Sequence, residues 1–202
     1  MQTIETVSEP YVVAKFLEAE YFSPRFSEPI HKYMRDHGLS DQIILSPNVN
    51  NSTDNDVRAR ILNAARGYLD RQRGSIFDGF PNDVEWMRVR YPTSELGGVL
   101  LSTYPEWQVI TRNTRLLSEA ADYLMSTDPQ GNPARFVRDF VFSFNPEVEY
   151  PPIVLLTDEN SSRYVLLEGA VRSISHWLLR DRVTVVNGII GRSAHMKQWH
   201  DF

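Results

Sequence analysis

Apolar positions recur every three to four residues through the first 80 residues, whereas the last 50 residues gather them into short unbroken runs. The first pattern predicts helices. Residues 10 to 22 place Val12, Val13, Phe16, Leu17 and Glu20 on one helical period, with Pro10 suited to the first turn. Ser27 to His37 repeats it through Ile30, Tyr33 and Met34 and is closed by Gly38. After loop chemistry at Ser46-Pro-Asn-Val-Asn-Asn-Ser52, the stripe Val57, Ile61, Leu62, Ala65, Tyr68, Leu69 predicts a helix from Asn55 to about Arg73, capped by Ser52, Thr53 or Asp54. A strand follows at Val84–Val89, then an apolar run over Leu96–Leu101. Leu116, Leu117, Ala120, Ala121 and Leu124 predict a helix starting at Asn113 or Thr114, and a loop over Ser126–Pro133 separates it from another through Phe136, Val137, Phe140 and Val141. Strands are expected at 152–156 and 163–167, then a helix through Val171, Ile174, Trp177 and Leu178. A last strand lies near Gly188, and Ser193 caps a terminal helix ending at Trp199.

Composition narrows the class. With 202 residues, 42% hydrophobic and 11% aromatic, the chain has enough apolar surface for a sizeable core and is not a disordered chain. The absence of cysteine excludes disulfides, thiolate zinc sites and thiol nucleophiles. A net charge of -5 argues against nonspecific coating of nucleic acid over the whole surface, though not against a local basic groove. No apolar run is long enough for a membrane span, so a cytoplasmic protein without membrane partners is expected. Arg58, Arg60, Arg66, Arg71 and Arg73 fall around the 55–73 helix; they read either as a track for a phosphate backbone or as a solvated face balanced by Asp54, Asp56 and Asp70. Phe77-Asp-Gly-Phe-Pro81 reads as a packing turn that pins the helical part onto the second half. No Walker A, Gly-x-Gly-x-x-Gly or Gly-x-Ser-x-Gly motif occurs. His195 and His200 are five apart and cannot stack as a helical metal pair, and His176 reads as a helix-surface residue.

The candidate chemistry sits at Glu168-Gly-Ala-Val-Arg172, where a strand runs through glycine into a helix. A cation in the first turn of a helix meets unpaired N–H groups and the positive end of the macrodipole, which disfavours it unless an anion stands opposite. Arg172 therefore either faces a phosphate cradled by the turn, which Gly169 lets approach the main chain, or pairs with Glu168. Glu168 itself reads as a metal-bridging ligand, a hydroxyl acceptor or the clamp of Arg172. Ser173 adds a hydroxyl that either bonds the phosphate or serves only the first turn.

The order Pro-Pro, apolar strand, polar hairpin, second apolar strand, then acidic-Gly-x-x-Arg opening a helix resembles the ParB/sulfiredoxin-like superfamily. Val84–Val89, the Ser94-Glu-Leu96 turn and the segment from Trp107 to Arg115 extend the likeness over about residues 83 to 191, and only the acidic-Gly-x-x-Arg turn is motif-grade. The resemblance implies an α+β fold, a small mixed sheet in residues 81–202 with a helical extension over residues 1–80. It implies nucleotide phosphates held by Gly169, Val171, Arg172 and Ser173, with Arg112 or Arg115 converging from the upstream segment. The ligand it implies is a nucleoside triphosphate, ATP or CTP, with magnesium as a candidate companion. Many members carry Asp/Glu-Gly-His-x-Arg here, and Ala170 stands where the histidine would be. Alanine transfers no proton and attacks no phosphorus, so Glu168 is left as the polar member of the catalytic position. The chain is then either a natural binder lacking that group or an inactivated variant. The activities that the resemblance implies are nucleotide hydrolysis, phosphoryl or nucleotidyl transfer, or nuclease action by an effector or toxin in plasmid, phage-conflict or defence biology. Two other classes stand beside it: a noncatalytic nucleotide-switched regulator or protein-interaction module, and a DNA-binding protein using the 55–73 arginines.

Overall fold

In the computed structural model, which describes residues 1–127, 132–160 and 162–202, helices and a five-stranded mixed sheet share one fold. The helices are α1 (Glu9–Tyr21), α2 (Ser27–Asp36), the short α3 (Gln42–Leu45), α4 (Ser52–Arg66), α5 (Pro105–Ile110), α6 (Leu117–Thr127), α7 (Asn132–Ser143) and α8 (Ala170–Leu178). The strands are β1 (Gln2–Val7), β2 (Glu85–Pro92), β3 (Ile153–Thr157), β4 (Val165–Glu168) and β5 (Val185–Arg192), in the order β1-β2-β5-β3-β4. β3 and β5 run parallel and the other neighbours antiparallel. The middle of the expected loop at 126–133, residues 128–131, lies outside the described residues, as does residue 161 of the hairpin between β3 and β4.

Successive side chains of a strand point to opposite faces, and in β3 and β4 both faces are buried, which is why those two strands read as unbroken apolar runs. Val154, Leu156, Val165, Leu167 and Ile189 pack against Val12, Phe16, Leu17, Ile30, Ile61 and Leu62 of the N-terminal helices. Ile153, Leu155, Leu166 and Ile190 face the other way onto Leu117, Ala120, Ala121, Val137 and Ile174. The first helices are thus one outer layer over the sheet, and α6, α7 and α8 form the other. Phe77 and Phe80 are buried among Phe16, Tyr68, Trp86 and Trp199, so the turn at 77–81 does pin the N-terminal layer to the rest. Gly79, at φ +70°, is required there: a Cβ would stand 2.4 Å from the carbonyl oxygen of Gln198.

Four local expectations need correction. β1 was not anticipated because only its inner edge is partnered; Thr3, Thr6 and Val7 pair with Val89, Met87 and Trp86, while the strand stays largely exposed. α4 stops seven residues early, because Gly67 takes the left-handed conformation at φ +71° and the side chain of Asn63 accepts the amides of Leu69 and Asp70. Its arginines do not share one solvated face. Arg58 is fully buried and donates to the carbonyls of Ile43 (3.1 Å) and Asn48 (2.9 Å) and to the side chain of Asn55. Arg66 turns inward, Arg71 lies against Tyr68 and Phe80, and only Arg60 and Arg73 are exposed. The C-terminal helix is a single 3-10 turn, Met196–Gln198, although Ser193 does accept the amide of His195 at 2.9 Å.

Arg58 ties the α3–α4 loop to α4 through three acceptors, of which the Asn48 carbonyl also accepts the amide of Asn51 at 3.2 Å. Arg58→Ala is expected to lower the unfolding free energy by about 3 kcal/mol, whereas Arg60→Ala stays within about 0.5 kcal/mol, as read from urea midpoints.

Candidate functional site

β4 hands the chain to α8 through Gly169, which sits at φ +98° and ψ 27°. A Cβ there would stand 3.1 Å from both Nη2 of Arg172 and Cγ2 of Ile153, so the turn closes tightly only without a side chain. The first helical bond runs from the amide of Ser173 to the carbonyl of Gly169 at 2.7 Å, and no side chain caps this end. The preceding amides of the first turn have no partner within the helix. The residues of this turn, Glu168, Gly169, Ala170, Val171 and Arg172, line a cleft of about 490 Å³.

The cleft lies between the layers. Its walls are aromatic, from Phe26 of the α1–α2 connection, Trp107 of α5, Phe136 and Phe140 of α7, and Tyr150. An ion pair between Arg25 and Glu106, 2.6 Å, crosses from the N-terminal layer to α5 at the rim. Two further ion pairs form the charged floor. Nη2 of Arg172 donates to Oε2 of Glu168 at 2.5 Å and lies 3.4 Å from the carbonyl of Pro152, while its Nε is buried without a partner. Nη1 of Arg66 donates to Oε1 of Glu20 at 3.0 Å, and the same guanidinium lies 3.7 Å over the ring of Phe26.

The alternative in which Arg172 pairs with Glu168 is therefore the one present: the guanidinium folds back along its own turn. Ser173 is fully buried, with its hydroxyl unpartnered and outside the lining of the cleft. Arg112 is exposed and Arg115 donates to the carbonyls of Leu101 and Asp201; neither lines the cleft. Both take positive φ, +51° and +64°, in the bend between α5 and α6. No group of three or more His, Asp or Glu side chains placed to hold a metal ion occurs among the described residues, and Glu168 there serves Arg172.

Two titratable residues that the sequence placed on helices without a role in this site, Glu20 in the cleft and His176 behind its Phe140 and Tyr150 wall, are buried. Glu20 is 4% exposed, and burial pushes its carboxyl from 4.5 up to about 7, with the Glu168 carboxylate adding to the rise and Arg66, the Ser23 hydroxyl and Arg172 opposing it. A signal was available: Glu20 falls on the apolar stripe of α1, three residues after Leu17 and four after Phe16, where an unpaired acid would be costly. His176 is not a surface residue. It is 5% exposed, enclosed by the rings of Phe140, Phe144 and Tyr150, and burial first, then Arg172, lowers it from 6.5 to about 4.

No known protein-family model, no curated protein and no solved structure matches the chain. The described helices include none long and apolar enough to cross a membrane.

The two displaced groups act on stability with opposite sign. The folded chain holds more protons than the unfolded one at Glu20 between about 4.5 and 7, so that contribution is full below 4.5 and lost as pH rises through 7. At His176 the folded chain holds fewer protons between about 4 and 6.5, so stability falls as pH drops through that window. Glu20→Gln should remove a loss of up to about 3 kcal/mol on raising the pH, and His176→Phe a loss of similar size on lowering it, measured by urea unfolding between pH 4 and pH 8.

Proposed function

We propose that the cleft is a nucleotide-binding site and that the protein is a noncatalytic, nucleotide-switched regulator. The observation that carries this reading is the junction of a left-handed glycine and an uncapped helix N-terminus with an aromatic-walled cleft of about 490 Å³. Amides of a first turn suit a phosphate, and the aromatic walls give a planar base surfaces to stack on. The volume falls within the range of small-molecule sites. Resemblance to the ParB/sulfiredoxin-like superfamily supports the same assignment, because its acidic-Gly-x-x-Arg turn holds nucleotide phosphates.

In this reading, the amides of the first turn of α8 hold the anion, while Arg172 tethers the turn to Glu168 and Pro152 and adds positive charge behind it. The regulator is favoured over the effector enzyme by Ala170. It lines the cleft at the first position of α8 and carries neither a titratable group nor a nucleophile. Hydrolysis, transfer or nuclease action through this turn would need such a group at that position, and the one carboxylate of the turn, Glu168, is held by Arg172.

Calorimetric titration with ATP, CTP, GTP and UTP, with and without magnesium, tests the site. At least one of the four is expected to bind, without release of phosphate or pyrophosphate. Arg172→Ala should weaken that binding about tenfold, since the turn loses its tether and one charge. Unchanged affinity in a folded Arg172→Ala protein contradicts the placement of the phosphate, and steady turnover by the native protein contradicts the regulator.

A further inference from the structure

Charge in the cleft has a feature that the turn alone does not explain. Two carboxyl groups from opposite sides of the fold meet there: Glu20 from α1 and Glu168 from β4, with side chains 6% and 10% exposed. Each has one arginine, Arg66 from α4 at 3.0 Å and Arg172 from α8 at 2.5 Å. Ser23 bonds Glu20 from the end of its own helix, and Asp139 of α7 and Glu18 of α1 also line the cleft. The lining thus carries four carboxyl groups, Glu18, Glu20, Asp139 and Glu168, against three arginines, Arg25, Arg66 and Arg172. A polyanion entering a cleft of this balance meets repulsion. Of the four acids, Glu20 is the most buried, held in low-dielectric surroundings beside the Glu168 carboxylate.

We infer that Glu20 takes up a proton when an anionic nucleotide enters the cleft, which makes ligand binding depend on pH and makes the N-terminal helices part of the site. The inference rests on the nucleotide reading above. Neutralising Glu20 removes the repulsion closest to the ligand and releases Arg66 from its pairing, so that the guanidinium is free to face phosphate in place of Glu20. Glu20 already sits near neutrality before any ligand enters, so the added negative charge of a phosphate completes its protonation within the physiological range.

Linkage fixes the sign. If the complex holds more protons than the free protein, affinity falls as pH rises, by at most about tenfold per pH unit for one proton. The terminal phosphate of the nucleotide, with its second ionisation near 6, behaves oppositely, since the helix amides that hold it favour its deprotonated form.

The experiment is calorimetric titration of the native protein with the tightest-binding of ATP, CTP, GTP and UTP at pH 7.5, in two buffers of different ionisation heat. Uptake of about half a proton or more per nucleotide is expected, with the dissociation constant rising about fivefold to tenfold between pH 7 and pH 8.5. In Glu20→Gln the uptake should vanish and the dissociation constant become nearly independent of pH over that range. Nucleotide binding by the native protein with no proton uptake, or with proton release, overturns the role of Glu20 and leaves the nucleotide site standing. Uptake that persists undiminished in Glu20→Gln assigns the proton to another group and likewise overturns it. Absence of heat with all four nucleotides removes the nucleotide reading itself, and this inference with it.

Discussion

Two buried ion pairs on the floor of one cleft, Glu168–Arg172 and Glu20–Arg66, set the terms for the rest of the molecule. Charges that far from water are retained only when each has a partner, and removing one member of a pair leaves the other uncompensated. The first pair spans a single turn and holds the start of α8 against the end of β4. The second joins α1 to α4, and burial first, then the nearby Glu168 carboxylate, raises the pKa of Glu20. Each pair closes within its own layer, so docking of the N-terminal helices onto the sheet rests on the apolar face of Val154, Leu156 and Val165, and the two pairs let the four charges be buried where the layers meet.

The sheet explains why the turn lies where it does. β3 pairs parallel with β5 and antiparallel with β4, so β4 forms one edge and its end faces the space between the layers. α8 then packs back across the sheet through Ile174, and α7 lies on α8, with Ser175 donating to the carbonyl of Val137 at 3.4 Å. This packing buries His176 among Phe140, Phe144 and Tyr150 and places Phe140 on the wall of the cleft. Neutral histidine suits that aromatic box, since a charged ring would face both desolvation and Arg172.

What was legible in the sequence divides along physical lines. Helices with a wide apolar stripe, α1, α2, α6 and α8, and the unbroken apolar strands β3 and β4 announce themselves, because burial on one side or on both leaves a period in the residues. The Glu168-Gly-Ala-Val-Arg172 turn was legible because glycine before a helical arginine breaks local rules, and such breaks call for an explanation. β1 was not, since an edge strand of alternating Thr, Ile, Glu and Thr buries little. Nor was the end of α4, where Gly67 outweighed a stripe that continued through Tyr68 and Leu69. Periodicity also could not say that Arg58 points inward, because its three acceptors come from Ile43, Asn48 and Asn55, set in place by the fold of the preceding loop. The same holds for Arg112 and Arg115. Their distance from the cleft follows from the positive-φ bend between α5 and α6, and four residues alone do not disclose such a bend.

The central claim is that the turn at Gly169 and the aromatic cleft in front of it form one ligand site. Amide and indole NMR of the isotope-labelled protein during addition of ATP and CTP tests it most directly. The account predicts that the largest shifts fall on the amides of Gly169, Ala170 and Val171 and on the indole of Trp107, with smaller shifts on Glu20 and Arg66. Saturable shifts confined to the exposed edge of β1 or to Arg60 and Arg73, with Gly169 and Trp107 unmoved, would contradict it.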